Sequence, residues 1–318
     1  MAFSMFFSKS VSFDPSKDIP SLNGRVILVT GATTGIGKQS VFEYARHNPA
    51  QIWLAGRNLE KATQAAQEII GKVPGANISP LEMDLTSFDS IKKAAQTVLS
   101  QSQRLDILLL NAGIMAATEG LTKDGYEIQM GTNHMGHALL TRLLLPLLEK
   151  TKSSYADADV RVISVSSYGH KSVNKEMGFR FDTPKTTAES LGAYGRYFQS
   201  KLANVLFARQ LAKEYPQLIT ASIHPGLVHT DLMKRSSGTP TIFRMISRIM
   251  PFKTPEDGAK NQLWASVSKD VTSGEYYEPI GVANMASEFG KDDALAKKVW
   301  DWTQKELDLF LSSDNVLI

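Results

Sequence analysis

The sequence predicts a doubly wound α/β fold, a single mostly parallel sheet with helices on both faces. Three observations predict it. Short apolar runs alternate with longer stretches of helical period, the first apolar run passes straight into a glycine-rich turn, and neither a repeat nor a linker divides the 318 residues. Length alone admits one large domain or two small ones, so the motifs decide.

A polar, proline-containing lead-in runs through Pro20. Arg25 to Thr30 then reads as a short buried strand, and a helix follows from Lys38 to His47. Gln51 to Ala55 is a second strand, Leu59 to Ile70 an amphipathic helix, Ile78 to Glu82 a third strand and Ser87 to Ser100 another helix. Strand Leu105 to Leu110, helix Gly131 to Leu148, strand Val160 to Val165, helix Ala193 to Glu214 and strand Ile219 to Ile223 continue the pattern. Each right-handed crossover sets its helix on one face of a parallel sheet. Gly169 to Leu191 and Leu232 to Thr254 break the alternation, the second with an apolar set at Ile242, Phe243, Met245, Ile246, Ile249 and Met250. Both follow motif-bearing strand ends, where open sheets bind ligands, and are candidates for a substrate wall and lid.

Composition narrows the function classes. With 42% hydrophobic and 21% charged residues the chain has ample material for a core. A net charge of +3 without a dense basic stripe argues against nucleic acid as a partner. The absence of cysteine excludes disulfides, thiolate nucleophiles, iron–sulfur clusters and cysteine-based zinc sites. Met1 to Phe7 is apolar but lacks a preceding basic residue and is interrupted by Ser8, Lys9 and Ser10, so it does not read as a secretion signal. Ala138 to Leu148, broken by Thr141, Arg142 and Pro146, is too short to span a bilayer. With neither signal nor span, the expected location is cytoplasmic, and the glycosylation-like Asn77-Ile78-Ser79 has no consequence there.

Thr30-Gly31-Ala32-Thr33-Thr34-Gly35-Ile36-Gly37 lies between a buried strand and a helix start, where backbone N–H groups and the helix dipole can hold a pyrophosphate. Its bland alternative is a tight connection. The second strand ends at Gly56-Arg57, about twenty residues past the turn, where a dinucleotide enzyme meets the adenosine ribose. A carboxylate there would repel a 2′-phosphate, whereas a guanidinium grips one with two hydrogen bonds, so NADP(H) is the expected cofactor. Lys38 either adds charge to that site or is a solvated surface lysine.

Tyr197 and Lys201, four apart, share one face of the predicted helix, and a cation close to a phenol favours its ionised form. Ser166 and Ser167 follow a strand directly and bring a hydroxyl to the same sheet edge, unless they only form a turn. Asn111-Ala112-Gly113 ends another strand there and reads otherwise as an ordinary turn.

Taken in order, the turn Thr30 to Gly37, Asn111-Ala112-Gly113, Ser167, Tyr197 with Lys201, and Pro225-Gly226 resemble the short-chain dehydrogenase/reductase family. The turn spacing matches the single-domain branch rather than the extended branch of epimerases and dehydratases, and the resemblance covers Leu22 to Leu232. Thr132-Asn133-His134-Met135-Gly136-His137 with Ser200-Lys201-Leu202-Ala203-Asn204 is similar to the retinol-dehydrogenase-like group, which favours apolar alcohols and carbonyls.

The resemblance implies a Rossmann-like domain over residues 21–318 after a lead-in of residues 1–20, with a substrate lid around residues 232–254. It implies cofactor contacts from Gly31, Thr33, Gly35, Ile36, Gly37, Lys38, Arg57, Asn111, Ala112 and Gly113, with Asp84 and Leu85 flanking adenine. Pro225, Gly226, Val228 and Thr230 would lie at the nicotinamide end. Asn133 would hold a water or helix kink linking to Lys201. Ser167 would orient the substrate oxygen and Tyr197 would donate the proton in reduction. Lys201 would bind the nicotinamide ribose and tune the tyrosine. Ser167 lies thirty residues before Tyr197, longer than the family's commonest separation, which keeps Ser166 open as a stand-in.

The expected activity is hydride transfer between NADPH and a carbonyl or alcohol on a hydrophobic small molecule. A non-catalytic NADP(H)-binding regulatory protein is the alternative from another class. No metal is expected, although His134 with His137 and His224 with His229 are close in sequence, because no HExxH pattern supports one. The apolar residues from Ile242 to Met250 either pack a helix on the core or touch a membrane surface.

Overall fold

The computed structural model describes residues 10–228 and 252–313. Within them lies one seven-stranded parallel sheet in the order β3-β2-β1-β4-β5-β6-β7. The strands are β1 (Val26–Thr30), β2 (Gln51–Gly56), β3 (Ile78–Glu82), β4 (Ile107–Leu110), β5 (Arg161–Val165), β6 (Ile219–Ile223) and β7 (Tyr276–Tyr277). The chain winds outward from β1 to β3, returns to lay β4 beside β1, and then winds the other way. The crevice outside the carboxyl ends of β1 and β4 is therefore the topological switch point.

The helices are α1 (Pro15–Asp18), α2 (Gly35–Ala45), α3 (Leu59–Lys72), α4 (Phe88–Gln101), α5 (Ile128–Met130), α6 (Gly136–Ser154), α7 (Gly192–Glu214), α8 (Pro255–Val267) and α9 (Asp293–Ser313). Every residue of β1 and β4 is buried, as a strand covered on both faces requires. Alternate residues serve alternate faces. Leu28, Trp53 and Leu108 point into the core under α4 and α6, while Ile27, Val29, Ile52 and Leu54 point into the core shared with α2, α3 and α8. Trp53 is fully buried and donates its indole N–H to Ser102 Oγ at 2.9 Å.

Several boundaries depart from the sequence reading. Helix α2 starts at Gly35 rather than Lys38. Glycine is a poor helix former, so the pattern hides this start. Contact makes it possible, because a Cβ on Gly37 would come within 2.5 Å of the Gly31 carbonyl oxygen and 2.4 Å of Asn111 Nδ2. The helix read as Gly131 to Leu148 begins with α5, passes through a π-helical turn at Gly131–Met135 and continues as α6 to Ser154, with Pro146 on its exposed side. Strand β7 and helices α8 and α9 were not read from the sequence. A two-residue strand has no period to detect.

Part of the insertion between Gly169 and Leu191 packs on the core. Val173 and Phe179 join Met130, Leu202, Leu206 and Val299 in a third apolar cluster over α7 and α9. The lead-in is tied to the domain as well, with Val11 N–H donating to Ile280 O and His47 Nε2 bonded to Pro15 O. No helix among the described residues is long and apolar enough to cross a membrane. Residues 232–251 of the expected lid, including the apolar set, lie outside the described residues, as do Thr230 and His229. The flanks of that stretch meet at a parallel bridge between Val228 and Lys253.

Candidate active site

At the switch point the glycine-rich turn is built by close approach. Gly31 has φ +63°, and a Cβ there would sit 2.7 Å from Ala112 Cα, so backbone lies on backbone between β1 and β4. Thr30 Oγ1 accepts the N–H groups of Asn111 and Ala112, both at 2.9 Å, and donates to His137 Nε2 at 2.9 Å. Asn111 Nδ2 donates to Thr30 O at 2.8 Å, and Gln262 Nε2 from α8 donates to Asn111 Oδ1 at 3.2 Å. Asn111 thus braces the turn with its side chain. Helix α2 opens above this brace, and Thr34 at its N-cap makes no side-chain capping bond. The first-turn N–H groups at Gly35, Ile36 and Gly37 have no intrahelical acceptor, which leaves an anion seat at the positive end of the helix dipole.

Beside that seat Gly56 ends β2, and a Cβ on it would strike Thr33 Cγ2 at 2.5 Å. The next residue, Arg57, is exposed. Lys38 is not free, because its ammonium is paired with Glu68 on α3. Asp84 takes the N–H and hydroxyl of Thr86 on one carboxylate oxygen, and Leu85 packs its carbonyl against Gly136. The α2 N-terminus, Gly56, exposed Arg57 and Asp84 therefore lie together at the carboxyl ends of β1, β2 and β3.

The second half of the site gathers from β5, α6, α7 and β6. Helix α7 places Tyr197 and Lys201 one turn apart, both buried. Lys201 Nζ donates to Val165 O at 2.9 Å and lies 5.8 Å from the centre of the Tyr197 ring. Ser167 accepts the Gly169 N–H on its hydroxyl oxygen at 3.1 Å, and its hydroxyl acts on the Tyr197 phenol to favour the ionised form. Ser166 is buried and donates to Lys201 O at 2.7 Å. Of the two serines, Ser167 meets the phenol and Ser166 holds the helix.

Asn133 lies within the π-helical turn. Its Oδ1 accepts Ile114 N–H at 2.8 Å, and its Nδ2 donates to Ile114 O and Ser200 Oγ, both at 2.9 Å. It clamps the segment after β4 to α7 without touching Lys201 directly, and Gly113 sits between the two. Pro225 and Gly226 follow β6, and Gly226, at φ +91°, faces the Lys253 side chain.

A family model described as short chain dehydrogenase matches residues 25–177. Short-chain dehydrogenase/reductase drtF of Aspergillus calidoustus is 35% identical over 303 residues, covering 91% of this chain and 95% of its own. The chain belongs to the short-chain dehydrogenase/reductase family. Retinol dehydrogenase 12 of Homo sapiens is 35% identical to this short-chain dehydrogenase/reductase, covering 88% of this chain and 85% of its own. A crystal structure of a protein from Mycobacterium paratuberculosis has the same fold at a TM-score of 0.70 and 28% identity, covering 92% and 97% of the two chains.

The electrostatics of this short-chain dehydrogenase/reductase differ from the sequence expectation in one respect. Lys201 was expected to draw the phenol of Tyr197 downward, yet burial pushes it up to about 12, with only the Ser167 hydrogen bond acting against that rise. The reason is that Lys201 is itself desolvated. Burial lowers its ammonium from 10.5 to about 7, so near neutrality its charge is only partly present. Between pH 7 and 10 the unfolded chain binds a proton at Lys201 that the folded chain has released, so folding is favoured as pH rises across that window. The cofactor-free protein is expected to show a thermal midpoint that climbs from pH 7 toward 10, and a Lys201→Met variant is expected to lose the climb. An equal climb in both would assign it elsewhere.

The histidines considered as a metal pair are engaged by the fold. His134 Nε2 bonds Thr303 Oγ1 at 2.9 Å, and His137 uses Nδ1 on Asn133 O and Nε2 on Thr30. Sequence reasoning missed what surrounds the phenol on the far side. Tyr168 is half exposed, its ring 6.4 Å from that of His224 and beneath the Lys171 ammonium at 4.7 Å. Lys171 pairs with Glu278 at 3.2 Å, and Glu278 accepts the Tyr276 hydroxyl. No local pattern marks these residues, since they converge from the ends of β5, β6 and β7.

Proposed function

We propose that this chain is an NADP(H)-dependent carbonyl reductase acting on a hydrophobic small molecule, with Tyr197 as the proton donor. The observation that carries the reading is the meeting, at one sheet edge, of the Ser167 turn against the buried Tyr197 phenol, Lys201 beside that ring, and an uncapped α2 N-terminus flanked by exposed Arg57.

A bound nicotinamide dinucleotide supplies the hydride. The chain's own residues handle the oxygen. Ser167 donates to the substrate carbonyl oxygen and fixes its approach. Tyr197 passes its phenolic proton to that oxygen as negative charge develops, and the phenolate regains a proton from solvent. A phenol held near 12 is fully protonated at neutral pH, which suits donation. Lys201 would hold the nicotinamide ribose, and its partial charge would then compensate the transient phenolate. Tyr168 and Phe198 give the site an aromatic wall, which with a relative named for retinol supports an apolar substrate. On this reading the chain acts in the cytoplasm on a small molecule.

Titration with NADPH and NADH, followed by a panel of apolar aldehydes and ketones, tests the proposal. NADPH is expected to bind more tightly than NADH and to lose its absorbance only with a carbonyl present. Binding without turnover across the panel would favour the regulatory alternative. Arg57→Asp is expected to reverse the ratio of activities with the two cofactors by at least about tenfold, through loss of a charge-assisted contact of roughly 1.5–3 kcal/mol. An unchanged ratio would remove Arg57 from the cofactor site.

A further inference from the structure

The turn that carries Ser167 is held by a residue no sequence motif singled out. Ser167 caps a short 3-10 turn, Tyr168–Ser172, and its carbonyl oxygen accepts two hydrogen bonds from one residue, His170 N at 3.1 Å and His170 Nδ1 at 2.7 Å. The opposite ring nitrogen, Nε2, accepts the backbone N–H of Ser287 at 3.0 Å. A carbonyl only accepts and an amide N–H only donates, so the two bonds together define a neutral imidazole with its proton on Nδ1. The ring is fully buried and packs edge-on against Tyr276 at 4.5 Å.

The neighbourhood leaves this turn no slack. A Cβ on Gly169 would meet the Phe198 ring at 2.9 Å and Tyr197 Cε1 at 3.3 Å, so the turn lies directly against the phenol. A small shift of the turn moves the Ser167 hydroxyl relative to both Tyr197 and a substrate oxygen. His170 opposes that shift by tying the Ser167 carbonyl to a segment 117 residues away in sequence.

We propose that His170 is a positioning residue for the reaction, a neutral two-ended strut between Ser167 and Ser287 that sets where the Ser167 hydroxyl meets the substrate carbonyl. This rests on the reading of Ser167 and Tyr197 given above. It adds that the oxygen-orienting group is aligned from the β7 side of the sheet, through an imidazole that exchanges no proton.

The test is a double-mutant cycle on the NADPH-loaded enzyme with a carbonyl substrate. His170→Phe is expected to lower kcat on the order of 10- to 100-fold, the scale of a small misplacement of a reacting group, with KM and the NADPH Kd moved less than about threefold. His170→Asn, whose amide nitrogen reaches the Nδ1 position but leaves the Ser287 N–H unmet, restores one end of the strut and is expected to recover only part of the lost kcat. His170→Gln, which reaches only the Nε2 position, is expected to stay low. In a Ser167→Ala background His170→Phe is expected to cost less than about twofold, because the group being aligned has gone. Equal losses in both backgrounds, or an unchanged kcat in folded His170→Phe, would overturn the proposal.

Nitrogen-15 spectra of the parent protein supply a readout free of turnover. A neutral Nδ1–H tautomer from pH 5 to 9 is expected, and an Nε2–H tautomer overturns the strut whatever the activity. A parent protein that never oxidises NADPH with a carbonyl overturns the reductase reading instead, leaving the tautomer to judge the strut.

Discussion

Tyr197→Phe is expected to lose about 10²- to 10⁴-fold in kcat, the range that a positioned general acid supplies, while binding NADPH with unchanged Kd. The ring stays, so its packing against Phe198 and its place beside Lys201 stay with it. Only the hydroxyl that would protonate the substrate oxygen is removed. Single-turnover measurements at saturating NADPH check this by separating chemistry from binding. A variant with parental kcat would sink the mechanism, since the hydroxyl assigned as proton donor has gone. Parallel loss of NADPH affinity would instead mean that the phenol holds the cofactor.

Acid is expected to destabilise the fold well above the carboxylate range. His134, His137 and His170 are buried, and burial lowers their imidazoles to about 3, 4 and 4. In the unfolded chain each takes its proton near pH 6.5. Between pH 6.5 and about 4 the unfolded state therefore binds more protons, so the stability these groups contribute is complete above 6.5 and drains away as pH falls. Each unit of separation is worth about 1.4 kcal/mol, and three such groups together reach the scale of a typical folding free energy of roughly 5–15 kcal/mol. Thermal midpoints at pH 7, 6, 5 and 4.5 measure this, with a steep fall expected below 6. His134→Gln, which keeps a hydrogen-bonding group for Thr303, is expected to flatten the fall. A midpoint constant from pH 7 to 4.5 would mean that these imidazoles charge freely in the folded protein.

Much of the fold is legible in the sequence because the elements that form it carry local patterns. Six of the seven strands are apolar runs bounded by turns, and α3 and α4 show clear amphipathic spacing. Helix α2 begins three residues early because glycine conceals a helix start that is secured by contact with the β1 and β4 ends. Strand β7 is only Tyr276–Tyr277 and exists because β6 offers it an edge. Helices α8 and α9 lie beyond the motifs on which the alternation was read, and their places depend on cores shared with distant strands and with α7.

The site divides along the same line. Tyr197 with Lys201, the turn from Thr30 to Gly37, and the glycine–arginine end of β2 are short-range patterns, and helical pitch or strand-to-helix geometry gives each its meaning without reference to the rest of the chain. Tertiary structure decided which serine reaches the phenol, that Lys38 is held by Glu68 while Arg57 stays open, and that the phenol is raised by burial rather than lowered by Lys201. It also decided that His170 braces Ser167 against Ser287. The physical reason is the range of the forces involved. Backbone chirality and hydrophobic periodicity act over a few residues and can be read along the chain, whereas desolvation, hydrogen-bond partnership and charge pairing at a sheet edge depend on groups that meet only after the strands have paired.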